Sequence, residues 1–243
     1  FLIFQEELAL LQAISKNTLL DLVILKHHAP ISLSFLANLS QVSPALNHLL
    51  LMNERRDLSP IIKHNESDDV SYWPTDNQND GNSYSESILA VQSMYQQHGG
   101  LVHLTMPMSV QEQAKGWLNK YVGTSIPIAV HLKNNPNDPQ SNAKIDNWLT
   151  LFEYCRIEKL PVFFVLIGND VYDDRCYKQS NVRVTQTLGG QLELDLALIK
   201  LSYLFMGMAS GPCNMALFCG TPYLIWKHPE HHKEEMEREF QGF

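Results

Sequence analysis

The chain has 243 residues, 44% hydrophobic and 18% charged, which suits one large domain or two small ones and excludes a largely disordered segment. Its net charge of −8, with no basic cluster before the tail, argues against nucleic acid as a partner. No run of about 18 apolar residues occurs, so no transmembrane helix is expected, only a peripheral membrane contact at most. No secretory leader is seen, and a cytoplasmic location is expected. The chain opens at Phe1 in an apolar "FLIF" and reads as a fragment or a trimmed protein.

In chain order, "LLDLVIL" (Leu19 to Leu25) reads as a strand. Ser32 to Val42 has helical spacing with serine caps, and "NHLLLM" (Asn47 to Met52) is a second apolar run, giving a βαβ succession. Asn65 to Ser87 is polar and turn-rich, a long surface loop or flap. Ser85 to Gly100 carries Ile88, Val91, Met94 and Tyr95 at helical spacing and closes on Gly-Gly, so it reads as a capped amphipathic helix. "LVHLTMPM" (Leu101 to Met108) reads as a strand, and Ser109 to Gly123 as a helix with a serine N-cap and a glycine stop.

The pattern then restarts more regularly. Strands are expected at Ile126 to Lys133, in "PVFFVLIG" ending at Gly168, and in "NVRVTQT" and "YLFMGM", and "YLIW" is a further apolar run. Helices are expected in "IDNWLTLFEYCRIEK", "LELDLALIKLS" and "CNMALF". Apolar strands alternating with helices indicate parallel construction buried on both faces. The fold class is therefore α/β, with two Rossmann-like lobes at 1–123 and 124–243, the first not necessarily complete. The four cysteines, Cys155, Cys176, Cys213 and Cys219, lack C-x-x-C spacing and read as buried free thiols.

Two stretches carry candidate chemistry. After "YLFMGM" the chain turns at Ser210 and Gly211, and Pro212 suits the first helical position. The positive end of the following helix then faces the carboxyl edge of the sheet, where α/β proteins hold phosphate. The same residues would also make an ordinary helix-opening turn. In "VHLKNNPND", His131 and Lys133 share one face of a strand and leave it at that same edge. A lysine there can neutralise a diphosphate. Lys133 as a solvated strand end and His131 as a hydrogen-bonded interior side chain are the plainer alternatives.

The run "LELDLALIKLSYLFMGMASGPCNMALFCGTPYLIW" resembles the donor-binding end of metal-independent, nucleotide-sugar glycosyltransferases of the GT-B fold, of the heptosyltransferase-like and fucosyltransferase-like groups. In these a helix of the "L-x-x-L-x-x-L-I" kind leads through a strand to a Ser/Thr-Gly-Pro turn. "VHLKNNP" is similar to the strand-end "H-V-R-R" of the second group. The resemblance covers about Ile126 to Lys227, and its "SGP" part is the most specific. It implies a donor diphosphate held by His131, Lys133, Ser210, Gly211, Pro212, Cys213 and Asn214. The nucleoside would lie against Gly168, Asp170, Thr185 and Gln186. No cofactor or metal is implied, and the partners are a nucleotide-sugar donor and a carbohydrate or glycolipid acceptor, as in glycan or surface-polysaccharide synthesis. Ala209 and Asn214 stand where the heptosyltransferase-like enzymes have Asp and His, which argues against an ADP-heptose donor. Lys133 replaces an arginine fork with a point charge.

The base for an acceptor hydroxyl is not identified. Asp76, His98 and His103 are candidates, each with a structural alternative. The histidines and glutamates of "KHPEHHKEEMEREF" lack metal-site order and read as a solvated helix able to cross back to the first lobe. Two further readings stay open: a sugar-nucleotide epimerase of the same fold, and a catalytically silent nucleotide-binding module or fragment. A dinucleotide oxidoreductase is disfavoured, because no G-x-G-x-x-G follows a strand.

Overall fold

The computed structural model describes residues 20–25, 46–53, 89, 92–93, 95–97, 99, 103–188, 192–230, 233–234 and 237. The chain divides into two compact units, Phe1–Val102 with Glu234–Phe243, and His103–Lys233. In the first, β1 (Leu20–Leu25) and β2 (Leu46–Met52) pair in parallel, with Leu22 opposite Leu49. Parallel neighbours require a crossover between them. The helix expected at 32–42 and the loop expected at 65–87 lie outside the described residues. Asp21 Oδ1 accepts a hydrogen bond from Asn47 Nδ2 at 3.0 Å and lies 2.9 Å from His48 Nδ1, tying the two strands at their start. Leu89, Gln92, Ser93 and 95–97 are helical. Gly99, at φ +73°, closes that turn by donating to the Tyr95 carbonyl at 2.7 Å, a conformation that glycine adopts without strain.

The second unit runs α1 (Met108–Tyr121), β3 (Ile126–His131), α2 (Ile145–Ile157), β4 (Val162–Leu166), α3 (Asp174–Tyr177), β5 (Val182–Val184), α4 (Leu192–Leu201), β6 (Leu204–Met208), α5 (Gly211–Cys219), β7 (Tyr223–Trp226). All five strands are parallel, in the order β5-β4-β3-β6-β7. The chain thus builds outward from β3 in one direction, then returns to its other side. That reversal places a topological switch point between the carboxyl ends of β3 and β6.

Both faces of the sheet are covered, which explains the unbroken apolar runs. Val130, Leu166 and Val184 pack on one face with Trp148, Phe152 and Cys155 of α2. Alternation sends Ala129 and Val165, both fully buried, to the other face, where α4 lies against β3. The rings of Phe152 and Phe164 meet at 4.6 Å between centroids in the middle of the first layer. β7 is an edge strand with all four of its side chains exposed. None of the four cysteines forms a disulfide and all are buried, and burial pushes the Cys176 thiol up to about 11.

Three sequence expectations change. The second unit begins at His103 rather than after Gly123, because α1 packs on α4 and shares its core. Among the described residues of 101–108, 103–107 form no strand. Leu104 and Met106 are buried and Thr105 is exposed, so the alternation is real, but the Leu104 amide bonds the Phe218 carbonyl at 2.8 Å rather than a strand partner. The helix that follows starts two residues early, with Pro107 rather than Ser109 at its N-cap; its glycine stop, Gly123 at φ +64°, is as expected.

Replacing Phe164 by Ala should cost about 3–5 kcal/mol, since the ring has no room to be replaced by collapse between β4 and α2. Urea unfolding followed by circular dichroism measures it, and a loss under about 1 kcal/mol would contradict the packing described.

Candidate functional site

Because every strand of the second unit is parallel, the residues leaving β3, β4, β5 and β6 meet at one edge. His131 ends β3 and is 2% exposed. Its Nε2 lies 2.8 Å from Asp170 Oδ2, and its Nδ1 lies 2.8 Å from Ser210 Oγ. Asp170 follows β4, and its second oxygen accepts the Asn134 amide at 2.8 Å. Ser210 follows β6 and is also 3.0 Å from the Met208 carbonyl, which the Cys213 thiol reaches at 2.8 Å. Gln186, after β5, donates to the Gly168 carbonyl at 3.2 Å and to the Asp170 carbonyl. Four strand ends are thereby joined around one imidazole.

The electrostatics follow from these contacts. The His131 hydrogen bond and the Asn134 amide hold the Asp170 carboxyl below the usual carboxylate range, against partial burial. Asp170 is therefore an acceptor on both oxygens, and Nε2 of His131 must carry the proton between them. Behind this cluster the buried Asp195 of α4 accepts from Thr185 Oγ1 at 2.9 Å and from the Gly168 amide at 3.0 Å. Burial raises its carboxyl above the ordinary value, although both bonds and the nearby His131 work the other way. Burial likewise raises Tyr172, whose hydroxyl donates to the Ile167 carbonyl.

Gly168 packs directly against the His131 ring. It has φ +98°, and a Cβ there would lie 2.8 Å from His131 Cδ2. Only glycine meets both demands.

α5 opens beside His131. Ser210 is its N-cap residue but makes no side-chain capping bond, because the hydroxyl is turned to His131. Pro212 has no N–H, and the Cys213 amide folds back onto the Ser210 carbonyl at 3.1 Å. Gly211 is left as the open amide of the first turn, together with the positive end of the helix dipole. The Lys133 ammonium pairs with Asp138 at 3.0 Å, and Asp138 also accepts from Ser141 at 2.5 Å. The Lys133 charge is nevertheless felt at Cys213, whose thiol burial raises. A cleft of about 360 Å³ lies beside it, lined by Leu132, Lys133, Asn134, Ile145 and Tyr172 among others. A larger, shallower depression of about 560 Å³ runs along α2 between Leu149, Tyr154 and Arg175, away from these strand ends.

Of the residues read from the sequence, the structure therefore brings together His131, Asp170, Ser210, Gly168, Gln186 and Cys213, with Gly211 and Pro212 at the helix start. Lys133 stands beside them with its own counter-ion. Thr185 is buried with its hydroxyl committed to Asp195. Asn214 is partly buried one position further along α5 than Cys213. His103 lies at the other end of α5, its ring against Gly220. Asp76 and His98 fall outside the described residues. Asp195, Asn134, Asp138 and Tyr172 were not anticipated. The one local signal was the carboxylate of Asp195 inside the apolar run "LELDLALI".

No protein-family model matches the chain, and no curated protein does. The fold is that of a parallel α/β protein similar to glycosyltransferase structures, as the run at 126–227 led one to expect. One is a glycosyl transferase family 9 protein from Veillonella parvula, with a TM-score of 0.61 and 14% identity, covering 92% of this chain and 76% of that one. Another is the E. coli ADP-heptose LPS heptosyltransferase II, with a TM-score of 0.60 and 13% identity, covering 93% of this chain and 80% of that one. At such identities the likeness is one of fold. No helix among the described residues is long and apolar enough to cross a membrane.

Gly168→Ala should destabilise the protein by about 1–3 kcal/mol, read from its urea midpoint, because a strained φ and a clash with His131 coincide. The lowered Asp170 carboxyl contributes stability above the ordinary carboxylate value of about 3.9, and that stability is lost as pH falls through the lower folded value. Asp170→Asn should accordingly flatten the acid limb of the stability curve, measured by thermal unfolding from neutral pH to below pH 3.

Proposed function

We propose that the chain transfers a sugar from a nucleoside-diphosphate sugar to an acceptor hydroxyl on a carbohydrate or glycolipid. The observation that carries this reading is the switch point between β3 and β6. There α5 begins with an uncapped amino end, because its N-cap hydroxyl is bonded to His131 instead. In the proposed reaction the acceptor oxygen attacks the anomeric carbon as the bond to the diphosphate oxygen breaks, and the electron pair leaves on the diphosphate. Preorganised donors are what such a leaving group needs. The Gly211 amide, the α5 dipole, Ser210 and Lys133 would supply them, so that protein cations rather than a metal ion carry the charge. The nucleoside would lie toward Gly168, Asp170 and Gln186. Thr185 would support it only indirectly, since its hydroxyl already holds Asp195.

Two observations favour a second reading, a binding module without transferase activity. Lys133 is paired with Asp138, and both His131 nitrogens are satisfied within the chain.

Titration calorimetry with ADP, UDP, GDP and CDP should find at least one that binds equally well with and without EDTA. Lys133→Ala should weaken that diphosphate about 10–100-fold while leaving the parent nucleoside unchanged, the loss of one charge-assisted contact. If no diphosphate binds, the donor reading fails. If one binds but no sugar reaches any acceptor in a glycan array supplied with the matching nucleotide sugars, the module reading replaces it.

A further inference from the structure

In an all-parallel unit every helix hands over to its next strand at the same edge. The turns 122–125, 158–161, 202–203 and 220–222 therefore gather at the amino edge of the sheet, one strand length, about 15–20 Å, from the candidate site. Three main-chain hydrogen bonds join them in a row. The Ile126 amide donates to the Pro161 carbonyl at 2.7 Å, the Tyr203 amide to that of Pro127 at 2.9 Å, and the Phe205 amide to that of Pro222 at 2.8 Å. Turns are usually built from small and polar residues. Here each strand start exposes an apolar or aromatic side chain: Leu160 before β4, Ile126 opening β3, Tyr203 before β6 and Tyr223 opening β7. Tyr203 is 72% exposed, and Ile157, on the last turn of α2, extends the row. At about 4.8 Å per strand the four starts span about 15 Å. Scattered exposed apolar residues are commonplace, whereas a contiguous row marks an interaction surface.

The charges beside this row are mostly of one sign. Lys120 of α1, Lys159 after α2 and Lys200 of α4 are exposed, against the carboxylate of Glu158, while Arg156 and Glu153 pair with each other. Lysines near helix carboxyl ends also suit the dipole, but that does not account for the apolar row between them. Lys159 itself has φ +53°, so a lysine stands at a helix-closing position that glycine fills more easily.

We propose that the amino edge of this sheet rests on an anionic lipid bilayer. The aliphatic tips of Ile126, Ile157 and Leu160 enter the headgroup boundary, and the tyrosines lie in the interface with their hydroxyls toward water. The lysines reach lipid phosphates on flexible stems. A protein partner fits less well, because the buried core of a protein interface is depleted of lysine. In a chain of net charge −8, the rest of the surface is repelled by such a bilayer, which turns this edge toward it. The inference goes beyond the transferase reading and does not depend on it.

The test is co-sedimentation of the full chain with vesicles of phosphatidylcholine alone and of phosphatidylcholine with phosphatidylglycerol. The chain should bind the anionic vesicles, bind the neutral ones at least tenfold more weakly, and lose affinity with added salt. Leu160→Ser with Tyr203→Ser, and separately Lys120→Gln with Lys159→Gln, should each weaken binding about tenfold, with circular dichroism confirming the fold. A polarity-sensitive dye on Tyr203→Cys should shift to the blue on vesicles. The same dye on Met108→Cys, exposed at the amino end of α1 and so at the other edge, should not. Absence of vesicle binding, indifference to the anionic lipid, binding that survives both pairs of substitutions, or an unmoved dye at position 203 overturns the inference. So does a concentration-dependent dimer in ultracentrifugation that the apolar pair dissolves, in a chain that binds no vesicle, since the edge then belongs to a second copy. Diphosphate titration of the same variants should match the wild type, so failure here leaves the donor reading standing and failure there leaves this one.

Discussion

A buried imidazole must have both nitrogens engaged, and the edge of this sheet is organised around that requirement. His131 has almost no contact with water, so each ring nitrogen left bare would carry a desolvation penalty. Asp170 meets one and Ser210 the other. These partners come from the ends of two strands that flank β3 on opposite sides, so the histidine acts as a clasp across the point where strand order reverses. Gly168 is the steric counterpart of that clasp, because the ring occupies the space where its side chain would be.

The clasp has a consequence for α5. A serine at an N-cap ordinarily spends its hydroxyl on the amides of its own first turn. Here the hydroxyl is directed into the sheet, and proline and a backward-folded Cys213 amide leave Gly211 to present the helix's positive end. The helix thus forgoes local capping stability, of the order of 1 kcal/mol, and keeps its amino end available. That departure from local economy is of the kind associated with functional sites.

How much of this was legible depended on range. The continuous apolar runs of β3 and β4 and the Gly/Pro punctuation around α5 are local signals, and the elements they indicated lie within a residue or two of those observed. The stretch 103–107 was read as a strand and forms none, because an alternating pattern does not say whether a pairing partner exists. Ser210, His131 and Lys133 were singled out by type and position. That Asp170 would bond His131 across 39 residues could not be read, because strand order is a property of the whole sheet. Thr185 shows the opposite error. It stands at a strand end, as a nucleoside contact should, but a buried carboxylate one helix away claims its hydroxyl.

The Lys133–Asp138 pair also bears on what this edge would admit. An internal carboxylate already neutralises the ammonium, and Ser141 and the short turn at Pro139–Ser141 hold that carboxylate in place. An incoming anion has to outcompete a tethered one, so a single negative charge gains little by the exchange while a doubly or triply charged group gains much. Were this edge to take the proposed diphosphate, the pair would sort anions by valence before shape is consulted.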